Sequence, residues 1–223
     1  HFGKSLIKLI KKYNLHEFAT HTYCHYYCLE DGQTIMQFEE DLKLSIAIAK
    51  RDDIILKSIV FPRNQYNEHY IKVCQNYGIS SYRGTEKSYI YESSKRSKQS
   101  LFKRGLRLID AYINITGHNC YNTDIMKQSI PYNIPSSRFL RPYSNKLHYL
   151  EWLKLLRIKK AMTYAAKNKL VYHLWWHPHN FGRNSKENII LLENILEHYN
   201  YLNNKYCFQS ITMSELSKEL NTK

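Results

Sequence analysis

ILKSIVF, residues 55–61, is apolar at nearly every position, rich in β-branched residues and closed by Pro62. It lacks the in–out alternation of a strand with one wet face, and reads as a strand covered on both sides, the habit of parallel sheets. Working outward, both flanks carry helical spacing: IMQFEEDLKLSIAIAKR (35–51), which Thr34 can cap, and NEHYIKVCQNY (67–77), which Gly78 can stop. The short ISSYR (79–83) then reads as another strand, and strand alternating with helix marks βαβ units.

The pattern extends to both ends. Helices are expected over 3–13, 100–115, 146–168, 187–202 and 215–220, and strands over 16–22, 169–177 and 207–213. Between them, 117–144 is polar with three prolines and reads as a lid or substrate loop. With no internal repeat and no linker rich in Gly, Ser or Pro, residues 1–223 are expected to form one α/β domain.

Composition narrows the function. The 33 Lys and Arg against 19 Asp and Glu give a formal charge of +14, which favours anionic partners. The only dense basic cluster, KRSKQSLFKRGLR (95–107), belongs to no nucleic-acid-binding motif, so no nucleic acid is expected as partner. No run of eighteen apolar residues exists, so no transmembrane segment is expected. Five cysteines, an odd number without framework spacing, point to free thiols and a cytoplasmic setting.

Three stretches carry chemistry. In HTYCHYYC (21–28), four neighbouring residues cannot all reach one tetrahedral ion, and no second Cys/His pair exists elsewhere to complete a structural zinc clamp. His21, at a strand end, and His25, on the following turn, can converge on one metal, which sets Cys24 and Cys28 aside as spacers. VYHLWWHPHNFG (171–182) places Trp175 and Trp176, suited to stacking on a sugar ring, beside His177, His179 and Asn180 in a polar loop. FPRNQ (61–65) puts Arg63, Asn64 and Gln65 after the buried strand, where they can orient a carboxylate or bind substrate hydroxyls.

In this order, the stretches resemble the polysaccharide deacetylase family, the NodB-type carbohydrate esterases. His21-Thr22-Tyr23-Cys24-His25 matches the family's H-[S/T]-x-x-H motif throughout. FPRNQ takes the place of R-x-P-[YF] with the proline moved ahead of Arg63, and Trp175-Trp176-His177 that of L-x-H with Trp for Leu. YRGTE (82–86) stands where the fourth motif belongs but does not match it. The nearest likeness is to deacetylase-like proteins of surface-polysaccharide clusters, for O-antigen or capsule.

The resemblance implies a distorted (β/α) barrel, a divalent metal, commonly zinc, on His21 and His25, and removal of an N-acetyl group from an amino-sugar glycan or its precursor. It makes His177 the general acid, with His179 its competitor, Arg63 a further catalytic group, and Trp175, Trp176, Asn64 and Asn180 substrate contacts. The family's aspartate pair, a base and a third ligand, precedes the histidine motif; no Asp-Asp occurs before residue 21, and Asp31 and Asp52-Asp53 come later. The expectation is therefore a chain lacking its first strands, inactive alone and weak for zinc. Two alternatives stand beside the enzyme: a non-catalytic glycan-binding relative, and a basic nucleic-acid binder.

Overall fold

The computed structural model describes residues 3–13, 15–92 and 100–222. The first part of the 95–107 basic cluster lies outside them; its remainder enters a helix. The chain divides into two compact units, His1–Tyr82 with Ser129–Tyr132 and Ile211–Lys223, and Arg83–Gln128 with Asn133–Ser210.

The first unit holds α1 (Lys4–Lys11), α2 (Ile35–Arg51), β1 (Ser58–Ile59), α3 (Glu68–Asn76), the start of β2 (Ser81–Gly84) and α7 (Met213–Thr222). Thr34 caps α2 as its sequence promises: its Oγ1 accepts from the Gln37 N–H, and the Gln37 side chain accepts from the Thr34 N–H, a complete capping box. Phe38, Asp41 and Leu42 are its buried face, one helical turn of i, i+3, i+4. Phe38 is wholly buried, stacked 6.0 Å from Phe61 and edge-on to Tyr70, around a core that includes Ile59, Cys74 and Ile79. Burial of such a ring contributes about 2–3 kcal/mol. Asn67 caps α3, and Gly78, at φ +77°, ends it.

β1 pairs in parallel with β2, Ser58 opposite Ser81 and Ile59 opposite Tyr82. The regular strand within 55–61 is thus only two residues long, and of 16–22 a single residue, Thr20, bridges to Ile59.

The second unit holds α4 (Leu101–Tyr112), most of β3 (Tyr132–Pro135), β4 (Arg138–Phe139), α5 (Glu151–Asn168), β5 (Leu174–Trp175) and α6 (Ser185–Tyr206). β4 pairs in parallel with β5, Arg138 opposite Leu174 and Phe139 opposite Trp175. Leu140, Ile158, Met162, Leu191, Ile195 and Leu202 form its core. β4 and β5 make a two-stranded sheet.

Two expectations fail here. Residues 117–144 are not an open loop: they form a 3-10 turn (Thr123–Met126), β3 and β4, and bury Met126, Ile134, Ser136, Ser137 and Arg138. The cause is Asp110, fully buried at the end of α4. It accepts from Arg138 (3.2 Å), Arg157 (2.9 Å), the Tyr91 and Thr116 hydroxyls and two backbone N–H groups. Nor is 207–213 a strand. Cys207 takes φ +55° and closes α6, with the Asn203 amide donating to the Phe208 carbonyl.

Candidate functional site

In the first unit the site begins where pairing ends. Thr20 donates to the Ser58 carbonyl and accepts from the Val60 N–H at 3.0 and 2.9 Å, after which the chain turns through Thr22 (φ +62°) and His25 (φ +60°). Histidine tolerates that region; a β-branched threonine there is strained, at a cost of about 1–3 kcal/mol. Local bonds hold the turn. The Thr22 N–H donates to Thr20 Oγ1 (3.0 Å), and the Tyr26 N–H to Thr22 Oγ1 (2.7 Å). The Tyr23 and Cys24 N–H groups each donate to one oxygen of the buried Asp41, at 2.7 and 2.8 Å.

This turn presents His21 and His25 with ring centroids 4.7 Å apart and planes at 72°. His21 Nδ1 lies 2.6 Å from the Val60 carbonyl. A carbonyl only accepts, so Nδ1 carries the proton and the lone pair of the neutral ring sits on Nε2. A backbone acceptor on the far nitrogen is the usual device for orienting a metal-binding imidazole.

FPRNQ closes on the same turn. Pro62–Asn64 is a 3-10 turn with Arg63 at φ +53° and Asn64 at φ +54°. The Arg63 guanidinium lies 4.7 Å over the Tyr27 ring and 3.9 Å from Glu30, and Tyr27 stands edge-on to His25 at 5.0 Å. Gln65, wholly buried, donates to Glu30 (2.8 Å) and accepts from the Leu29 N–H (3.1 Å). Two motifs separated by some forty residues thus share one cluster.

Cys24 is pushed up to about 11, first by its hydrogen bond to Asp41 and then by burial. Burial pushes Cys28 up to about 12. Neither offers a thiolate near neutral pH.

In the second unit, β5 runs into the 3-10 turn Pro178–Phe181. Trp175 lies between the Arg83 guanidinium, 3.8 Å over its ring, and Phe139, 4.6 Å away. His177 stands edge-on to Trp175 (5.4 Å) and Phe139 (5.7 Å), and His179 stacks on it at 5.2 Å. Asn180 donates its backbone N–H to the His177 carbonyl at 3.0 Å. Trp176 stacks on Phe181 and is 36% exposed, so of the two tryptophans it is the one open to a ring.

Beneath this group His173 is pushed down to about 4, by burial first and then by Arg83, and is neutral at pH 7. Burial raises the buried Glu86 carboxyl.

Of the residues named from sequence, His21, His25, Arg63 and Asn64 lie in the first unit and Trp175, Trp176, His177, His179 and Asn180 in the second. Sequence reasoning missed Tyr27, Glu30, Asp41, Arg83, Glu86 and His173. A signal existed for Asp41, a carboxylate on the stripe that carries Phe38 and Leu42. Tyr27 and Glu30 follow the histidine motif directly but carry no spacing that marks them.

Among the described residues, no group of three or more His, Cys, Asp or Glu is placed to hold a metal ion. His21 and His25 fit a divalent ion in donor type and proximity, and His21 also in tautomer, as two ligands of a larger set. Among the described residues, too, no helix is long and apolar enough to cross a membrane. No protein-family model matches the chain, and comparison with curated proteins and with solved structures likewise finds no match.

Proposed function

We propose that this chain is a metal-dependent N-deacetylase of the polysaccharide deacetylase type, acting in the cytoplasm on an amino-sugar glycan of a surface polysaccharide or on its precursor. The distorted (β/α) barrel remains the fold that this resemblance implies. One observation carries the reading: His21 and His25 face each other on a strained turn held by Asp41, with the His21 tautomer set by Val60. Strain retained in a well-bonded turn is a mark of functional geometry.

His21 and His25 would hold the ion, most simply Zn²⁺, which there supplies Lewis-acid polarisation of an amide carbonyl. Arg63, braced by Tyr27 and Glu30, offers guanidinium donors to substrate oxygens. In the second unit, the resemblance would make His177 the proton donor for a departing amine with His179 its competitor, and exposed Trp176 with the neighbouring Asn180 the sugar contacts.

Equilibrium dialysis against zinc tests the site. Wild type is expected to bind, and His21→Ala and His25→Ala each to lose at least about tenfold in affinity. His177→Ala keeps the metal but loses acetate release from N-acetylglucosamine oligosaccharides wherever the wild type shows it. Zinc affinity equal in wild type and both alanine variants would overturn the assignment. Zinc binding and oligosaccharide binding without any acetate release favour the non-catalytic glycan-binding reading.

A further inference from the structure

The second unit contains a cavity of about 380 Å³ whose lining includes Arg141, Lys146 and Arg183 and, among the described residues, no carboxylate. Nor does any of these three cations make an ion pair among the described residues. Cations gathered in a concavity without counter-charge repel one another, and a bound anion relieves that repulsion. The lining also includes the aromatic and apolar residues Tyr112, Tyr143 and Leu147.

The walls are built rather than incidental. Lys154, 1% exposed, donates to the Arg141 and Pro142 carbonyls at 3.1 and 3.2 Å. Asn188, wholly buried, accepts from the Tyr143 N–H at 2.6 Å and donates to the Arg183 carbonyl at 2.9 Å. Two buried side chains therefore fix the backbone from which two of the three cations project. Glu151 is not part of the lining and is already engaged by Lys154, the Tyr112 hydroxyl and the Ser144 N–H. The 22-residue α6 begins at Ser185, and its leading residue Asn184 lines the cavity, so the positive end of the helix adds to the field. Burial lowers the Arg141 guanidinium, against the pull of the Tyr91 and Tyr112 hydroxyls.

We infer that this cavity binds a phosphate ester carrying a ring, of the sugar-phosphate or nucleoside-diphosphate kind, with the phosphate on Arg141, Lys146 and Arg183 and the ring against Tyr112 and Tyr143. The volume suits one such molecule. Guanidinium forks suit phosphate oxygens, and the aromatic wall gives the ring a face to lie on. The inference is independent of the His21–His25 metal reading, and holds or fails without zinc.

Titration calorimetry on the metal-free protein, with pyrophosphate, uridine 5′-diphosphate, N-acetylglucosamine 1-phosphate and uridine as separate probes, tests it. At least one of the two ring-bearing phosphates is expected to bind more tightly than pyrophosphate, and uridine not to bind. Whichever of the two binds tighter identifies the source of the phosphate. Arg183→Gln and Lys146→Gln, both at exposed positions, are each expected to weaken the tighter ligand about tenfold, and Arg141→Gln more. Lys50→Gln, exposed in the first unit, is expected to leave affinity unchanged, which separates the site from attraction by net charge. Absence of binding by every phosphate probe overturns the proposal. So do equal losses in Lys50→Gln, and unchanged affinity in the Arg183 and Lys146 variants, which do not depend on the half-buried Arg141 tolerating substitution.

Discussion

Asp41→Asn separates the bonds that hold the histidine turn from everything else in the first unit. The aspartate accepts two backbone N–H groups at 2.7 and 2.8 Å while 8% exposed. Asparagine offers one oxygen, so one N–H loses its acceptor and the other keeps only a neutral bond. Charge-assisted bonds contribute about 1.5–3 kcal/mol and neutral ones about 1, so the exchange costs roughly 3 kcal/mol, or a urea midpoint lower by roughly 1–2 M. A second reading comes from Cys24, whose thiol stands near 11 instead of 9 chiefly because of the hydrogen bond to Asp41. Burial keeps part of the shift, so a full return to 9 sets the upper bound, a thiolate fraction at pH 8 about a hundredfold higher. The weaker nucleophilicity of a more acidic thiol takes back nearly tenfold, leaving labelling faster by up to about tenfold. Iodoacetamide labelling of Cys24, followed by mass spectrometry with the exposed Cys207 changed to Ser, measures the rate. An unchanged rate together with an unchanged midpoint would refute the role given to Asp41.

Asp110→Asn leaves Arg138 and Arg157 buried without a carboxylate, and is expected to destabilise the second unit by about 3–5 kcal/mol in urea unfolding. A loss below about 1 kcal/mol would mean that the pair is not held by charge. His173 is neutral in the fold, taking up its proton near pH 4 rather than near 6.5. Between those values the unfolded chain binds the extra proton, so this contribution is complete above about pH 6.5 and is lost as pH falls toward 4. At about 1.4 kcal/mol per unit it amounts to about 3 kcal/mol. His173→Gln is expected to flatten stability across that window relative to wild type, and parallel curves would exclude the assignment.

The helices were legible because their signals are local. Thr34 with Gln37, Asn67, and Gly78 at φ +77° each act within a few residues, and the amphipathic spacing between them repeats. Three strands, β1, β2 and β5, fall within or beside stretches read as strands, while β3 and β4 were not legible. Ser136, Ser137 and Arg138 read as polar loop, and their burial depends on Asp110, more than twenty-five positions upstream, which no periodicity reports. The first-unit cluster was legible as two motifs, but their meeting was not, since it runs through Tyr27, Glu30 and the buried Gln65. In the second unit, His177 and Trp176 were visible in the aromatic run. Arg83 was hidden in a stretch that matched nothing, and only the fold sets it over Trp175.

The first unit is stitched from the two ends of the chain: Glu17 takes the Ser58 hydroxyl on one oxygen and, on the other, the backbone N–H of Ser214 in α7. On a ribosome, residues 213–222 are made after every segment of the second unit. The amino-terminal unit is therefore the one that must wait, and the later-coded unit has its whole sequence in hand first, reversing the usual order of vectorial folding.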